Sequence, residues 1–78
     1  TVEMMKLGQA SGRVTLNGVG TFEANVMNDR VKATDVSSFS CNLINDRADF
    51  TRTFGHIGIA NDRVTQQNSS VTIGLYNG

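Results

Sequence analysis

Three of the five Asp and three of the five Arg in this chain lie in copies of one tripeptide: Asn28-Asp29-Arg30, Asn45-Asp46-Arg47 and Asn61-Asp62-Arg63. Any chemistry they perform is therefore repeated. If the copies stack, Asp29, Asp46 and Asp62 form a carboxylate column, the oxygen-rich donor set that calcium takes. Each Asp, however, is followed by an Arg able to neutralise it, which predicts a ladder of weak surface ion pairs in place of a metal site. His56 is the single histidine, so one chain holds no His pair or His–Cys cluster at zinc spacing. An ion at His56 would need copies from a symmetric assembly to meet on an axis. Asp35 or Asp49 with Glu3 or Glu23 could be drawn as a glycosidase acid pair, but the sequence sets no distance between them. No nucleophile–base–acid motif and no glycine-rich phosphate loop before a helix is present. The sequence assigns no catalytic, cofactor or metal site, and we read the chain as having no catalysis of its own.

The elements that would position these corners follow from the spacing. The first Asn leads the second by 17 positions and the second leads the third by 16, and one further step of 16 reaches Asn77. Around each copy an apolar residue stands two before the Asn and another three after it: Val26 with Val31, Leu43 with Ala48, Ile59 with Val64. Side chains alternate along a strand, so an odd gap requires a corner if both members face inward. Asn tolerates the left-handed backbone region and Asp bonds nearby backbone groups, so Asn-Asp-Arg is read as that corner. Upstream arms keep period two, as in Phe39-Cys41-Leu43 and Val71-Ile73-Leu75. The predicted core is Val26, Val31, Phe39, Cys41, Leu43, Ala48, Phe50, Ile57, Ile59, Val64, Val71, Ile73 and Leu75, with Phe22 and Phe54 on the same parity. The shortening from 17 to 16 is placed at a second corner, at Gly55 or in Gln66–Ser70. Each period is then one rung of a stacked array, an all-β solenoid, elongated, of 16–17-residue rungs.

Composition agrees with this reading. Leu, Ile, Val and Phe supply 20 of 78 residues, too many for a disordered chain, while Pro and Trp are absent and Thr, Ser, Asn and Gln supply 25. Net charge is zero with no basic or acidic block, which argues against nucleic acid as a partner, and no apolar run is long enough for a membrane span. A chain this short buries barely enough surface to fold alone, and its single Cys41, read as a small core residue, cannot form an internal bridge. Association with copies of itself is the expected supplement. Met27, Ile44, Ala60 and Tyr76, each next to a corner Asn, have the opposite parity to the predicted core and form an apolar column for a partner. Residues 1–12 lack the repeat and are read as a lead-in or connector, with 13–78 as the β-helical domain, a fragment of something longer. Within it Asn17-Gly18 is either a hairpin turn or a degenerate first corner.

Short Val/Ile/Leu/Phe alternations broken by Asn, Asp and Gly corners, running over residues 13–78, resemble the shaft segments of bacteriophage tail fibres and tailspikes. The resemblance implies an intertwined triple-stranded β-helix in a homotrimer, located extracellularly on the virion. It also implies a rigid shaft that supports host attachment, with any contact to cell-surface polysaccharide made through other domains. Two alternatives stay open: a tailspike segment that itself binds or cleaves polysaccharide, and a polymerising solenoid similar to the bactofilins. Ser70-Val71-Thr72-Ile73-Gly74 also looks like one rung of a trimeric autotransporter adhesin head, a family with shorter repeats.

Overall fold

The computed structural model describes residues 2–77, so Thr1 and Gly78, the outer ends of the two predicted segments, lie outside the described residues. Nine strands run along the chain: β1 (Val2–Ala10), β2 (Val14–Asn17), β3 (Val19–Met27), β4 (Val31–Thr34), β5 (Ser38–Ile44), β6 (Ala48–Thr51), β7 (Phe54–Ala60), β8 (Val64–Gln67) and β9 (Ser70–Tyr76). The odd-numbered strands form one sheet in the order β1-β3-β5-β7-β9, and the even-numbered ones form a second in the order β2-β4-β6-β8. Every pairing is parallel. The chain is an all-β solenoid of about four turns, each turn giving one long strand to the first sheet and one short strand to the second.

The register converts sequence period into columns. Phe22 lies beside Phe39 and then Gly55 and Val71; Ala24 beside Cys41, Ile57 and Ile73; Met27 beside Ile44, Ala60 and Tyr76. In the second sheet Val14, Val31, Ala48 and Val64 form one column, and Leu16, Ala33, Phe50 and Gln66 another. Phe22 stacks on Phe39 at 5.1 Å between ring centroids, and Phe39 meets Phe50 edge-on at 5.0 Å, joining the two sheets across the interior. Val31, Phe39, Cys41, Ala48, Phe50, Ile57 and Val71 of the predicted core are buried, and Val64 and Ile73 are half-buried against it. Towards the last turn Gln66 occupies an inward column. Its side-chain amide bonds both the N–H and the C=O of Val71 at 3.0 Å, so backbone polar groups near the end of the stack are satisfied.

Several expectations are corrected. Val26, Leu43, Ile59 and Leu75 are not core: they form an outward column, with Ile59 36% and Leu75 53% exposed, while Met27, Ile44 and Ala60 are the buried residues. Inward positions on the first sheet run 22, 24, 27 and 39, 41, 44, a step of two followed by a step of three. A bend at Asn25, Asn42, Gly58 and Gly74 turns two successive residues outward before the corner is reached. At Gly58 a Cβ would stand 2.6 Å from the Asn42 carbonyl oxygen, so the close backbone approach there requires glycine. Tyr76 shares the inward column, yet it is 48% exposed on the last strand. Phe54 is 53% exposed, not inward.

Asn28, Asn45 and Asn61 do not adopt the left-handed conformation predicted for them. That conformation belongs to the second corner, at Gly18 (φ 69°), Asp35 (φ 56°), Arg52 (φ 47°) and Asn68 (φ 52°), one residue per turn. Asn17-Gly18 is accordingly no hairpin, since β2 and β3 belong to different sheets. The shortening does fall at this corner. Thr34 to Phe39 spans five positions, whereas Thr51 to Gly55, their partners in the next turn, spans four. Residues 2–10 are not a connector, because β1 pairs with β3 along its length and Ser11-Gly12-Arg13 occupies the first corner ahead of Asn28-Asp29-Arg30. Nor is the molecule elongated: it measures 31 × 26 × 18 Å.

Candidate functional site

The outer face of the first sheet carries a trough along the stack. Along its middle runs the bend column, where the exposed Asn42 Nδ2 donates to Asn25 Oδ1 at 2.9 Å. One wall is polar, the column Lys6, Glu23, Ser40, His56 and Thr72. The other is the apolar column Val26, Leu43, Ile59 and Leu75. Two shallow clefts of about 370 and 400 Å³ adjoin here and share Asn25 and Asn42. Ser40 Oγ lies 3.4 Å from His56 Nε2, at the long limit of a hydrogen bond, and the pair is exposed. Register puts Ser40 between Glu23 and His56, so the carboxylate is not on the far side of the imidazole, where an orienting acid belongs in a nucleophilic triad. The arrangement can exchange hydrogen bonds with a polar ligand while an apolar group rests on the opposite wall.

The corner tripeptides are built differently from their prediction. Asn77 Nδ2 donates to Asn61 Oδ1 at 2.7 Å, Asn61 to Asn45 at 2.8 Å and Asn45 to Asn28 at 2.8 Å, a continuous amide ladder up the edge. Asp29 and Asp46 each accept the backbone N–H of the next residue, at 2.7 Å from Arg30 and 2.8 Å from Arg47. The expected Asp–Arg ion-pair ladder is therefore absent among the described residues. The single ion pair there joins Arg52 to Asp35 across turns, at 2.5 and 3.2 Å, and it holds the Asp35 carboxyl below its ordinary value. Arg13, Arg30, Arg47 and Arg63 stack in one column, and Arg47 Nε is buried without a hydrogen-bond partner.

Among the described residues no group of three His, Cys, Asp or Glu side chains is placed to hold a metal ion. Asp29 and Asp46 spend a carboxylate oxygen on the backbone, and His56 stands beside Ser40. Of the acids considered for a glycosidase pair, Asp35 bonds Arg52, Asp49 pairs in register with Lys32 on the second sheet, and Glu23 lies on the first. Cys41 is 2% exposed, its Sγ–H directed at the Leu43 carbonyl at 3.4 Å, and burial pushes the thiol pKa up. Sequence reading missed the Arg52–Asp35 pair and the Asn25–Asn42 amide bond. Each pair is 17 positions apart, the signal that an offset search from Asn28 would have extended to them. Compared with protein-family models, curated proteins and solved structures, the chain matches none.

Proposed function

We propose that this chain is a structural rung stack, a shaft segment of a virion tail fibre or tailspike that supports host attachment as a homotrimer without catalysis of its own. The observation that carries the reading is the outward apolar column Val26-Leu43-Ile59-Leu75, which repeats at the rung spacing and leaves Ile59 and Leu75 open to solvent on a chain of only 78 residues. A ridge of equal period on a second copy meets it at every rung, and a net charge of zero sets up no long-range repulsion between copies. Phe39 and Val31 are fully buried within one chain, which favours three solenoids packed side by side over three strands sharing one interior. Sedimentation equilibrium tests the reading: the expected mass is three times that of one chain, reduced to a single chain by Ile59→Ser. A monomeric wild type at micromolar concentration would overturn it.

A second reading, an end-to-end polymer of single-chain solenoids similar to bactofilins, draws support from the same self-contained core. Filaments in electron micrographs, in place of a discrete trimer, are the result that would favour it.

A further inference from the structure

Turn chemistry accounts for two residues of the repeated tripeptide. Asn builds the amide ladder, and Asp caps the backbone N–H that follows it. Arg is left over. No described residue accepts a hydrogen bond from the side chains of Arg13, Arg30, Arg47 or Arg63, and none forms an ion pair with them. The backbones of these four Arg stack one strand spacing apart, about 4.8 Å, so four positive charges gather along one edge of the solenoid, where an anion is favoured.

The first two turns hold the cleft such an anion needs. Arg13, Arg30 and Lys32 line a pocket of about 240 Å³ together with Thr15, and Asp49 is the one carboxylate in its lining. The acidic positions of later turns are replaced here while the cation is kept. Gly12 stands where Asp29 and Asp46 stand, and Thr15 occupies the column of Lys32 and Asp49. Asp29 precedes Arg30 in the corner, and one of its oxygens already accepts the Arg30 N–H. Two Arg, a Lys and a Thr line one cleft, a donor set of the kind that grips a planar carboxylate or a sulfate.

We propose that this cleft binds the carboxylate or sulfate groups of an acidic polysaccharide laid along the arginine column, an activity beyond the shaft role. A regular polymer fits a donor array that repeats once per turn. Nucleic acid fits poorly, since no aromatic side chain lines the cleft for a base to stack on.

The test is calorimetric titration of the whole chain with a heparin oligosaccharide at about 50 mM salt, where charge contacts are strongest. Inorganic sulfate and a single-stranded oligonucleotide of equal charge serve as comparison ligands. The oligosaccharide is expected to bind more tightly than either. The double variant Arg13→Gln/Arg30→Gln should lose on the order of tenfold or more in affinity, and Arg30→Lys part of that, because the ammonium keeps the charge without the fork. Arg52→Gln, at the other corner and outside the cleft, should bind as wild type does, since the Arg52 guanidinium is already paired with Asp35. Thermal melts should show all variants folded, as neither cleft guanidinium holds the fold together by a hydrogen bond and the Arg52–Asp35 pair is exposed. The proposal is overturned by absence of binding at low salt, by equal loss in Arg52→Gln and the double variant, or by an oligonucleotide that binds as tightly.

Discussion

Replacing Ile44 by Ala and, separately, its neighbour Leu43 by Ala sets the burial order of the two residues against strict alternation. Ile44 has no exposed surface and sits between Met27 and Ala60 in the inward column. Truncation removes its packing and leaves a cavity, at a cost of about 2–5 kcal/mol. Leu43 is half-buried on the outer wall of the trough, where water fills the space a truncated side chain leaves. Its loss should cost about 1 kcal/mol or less within one chain. In a domain of this size each kcal/mol moves the melting temperature by roughly 4–8 °C, so Ile44→Ala should melt at least roughly 4–8 °C below Leu43→Ala. Differential scanning calorimetry over a range of protein concentrations measures both. Any part of the Leu43 effect that arises from association shrinks with dilution, whereas the Ile44 effect is intrinsic to the fold and persists. A Leu43→Ala variant that melts as low as Ile44→Ala at every concentration would refute the assignment of inner and outer faces.

Gly55→Ala should be more damaging than its size suggests. The added Cβ overlaps the Phe39 carbonyl oxygen and stands 2.7 Å from the Phe39 nitrogen, so β7 must leave its register, at upward of about 3 kcal/mol in a urea melt. A cost under about 1 kcal/mol would contradict the shortened corner. Cys41 should resist a thiol reagent until the protein is denatured, since it is buried and its thiol pKa is raised, and prompt labelling of the native chain would contradict its place in the core. The Asp35 carboxyl, held by Arg52 below its ordinary value of 3.8, stabilises the fold above that pH and loses the contribution as pH falls through its lower folded value. Melting temperatures between pH 5 and 2 should therefore fall slightly more for wild type than for Asp35→Asn; equal slopes would show that the exposed pair contributes nothing.

The corner period was legible because a parallel stack returns the same residue to the same place each turn, and Asn28, Asn45, Asn61 and Asn77 are bonded to one another there. Inner and outer faces were harder. Val26-Met27, Leu43-Ile44 and Ile59-Ala60 are apolar pairs, so composition could not say which member faces inward, and strict alternation chose the wrong one. Gly58 and Gly74, each just before the outward residue, were the available sign of a bend. Left-handed positions were hidden for a related reason. Gly18, Asp35 and Asn68 are ordinary choices for that conformation, but Arg52 in the same column is not, and it broke the pattern. The cationic cleft was invisible because Ser11-Gly12-Arg13 keeps only the Arg of the tripeptide, and residues 1–12 were set apart from the array.

The most direct test of the solenoid itself is a nuclear Overhauser experiment on the labelled chain in solution. Parallel stacking predicts contacts between residues one turn apart, Ala24 with Cys41, Cys41 with Ile57 and the ring of Phe22 with that of Phe39, continuing turn by turn. Sequential antiparallel contacts across each tripeptide, such as Met27 with Val31 and Ile44 with Ala48 paired as in hairpins, would contradict it.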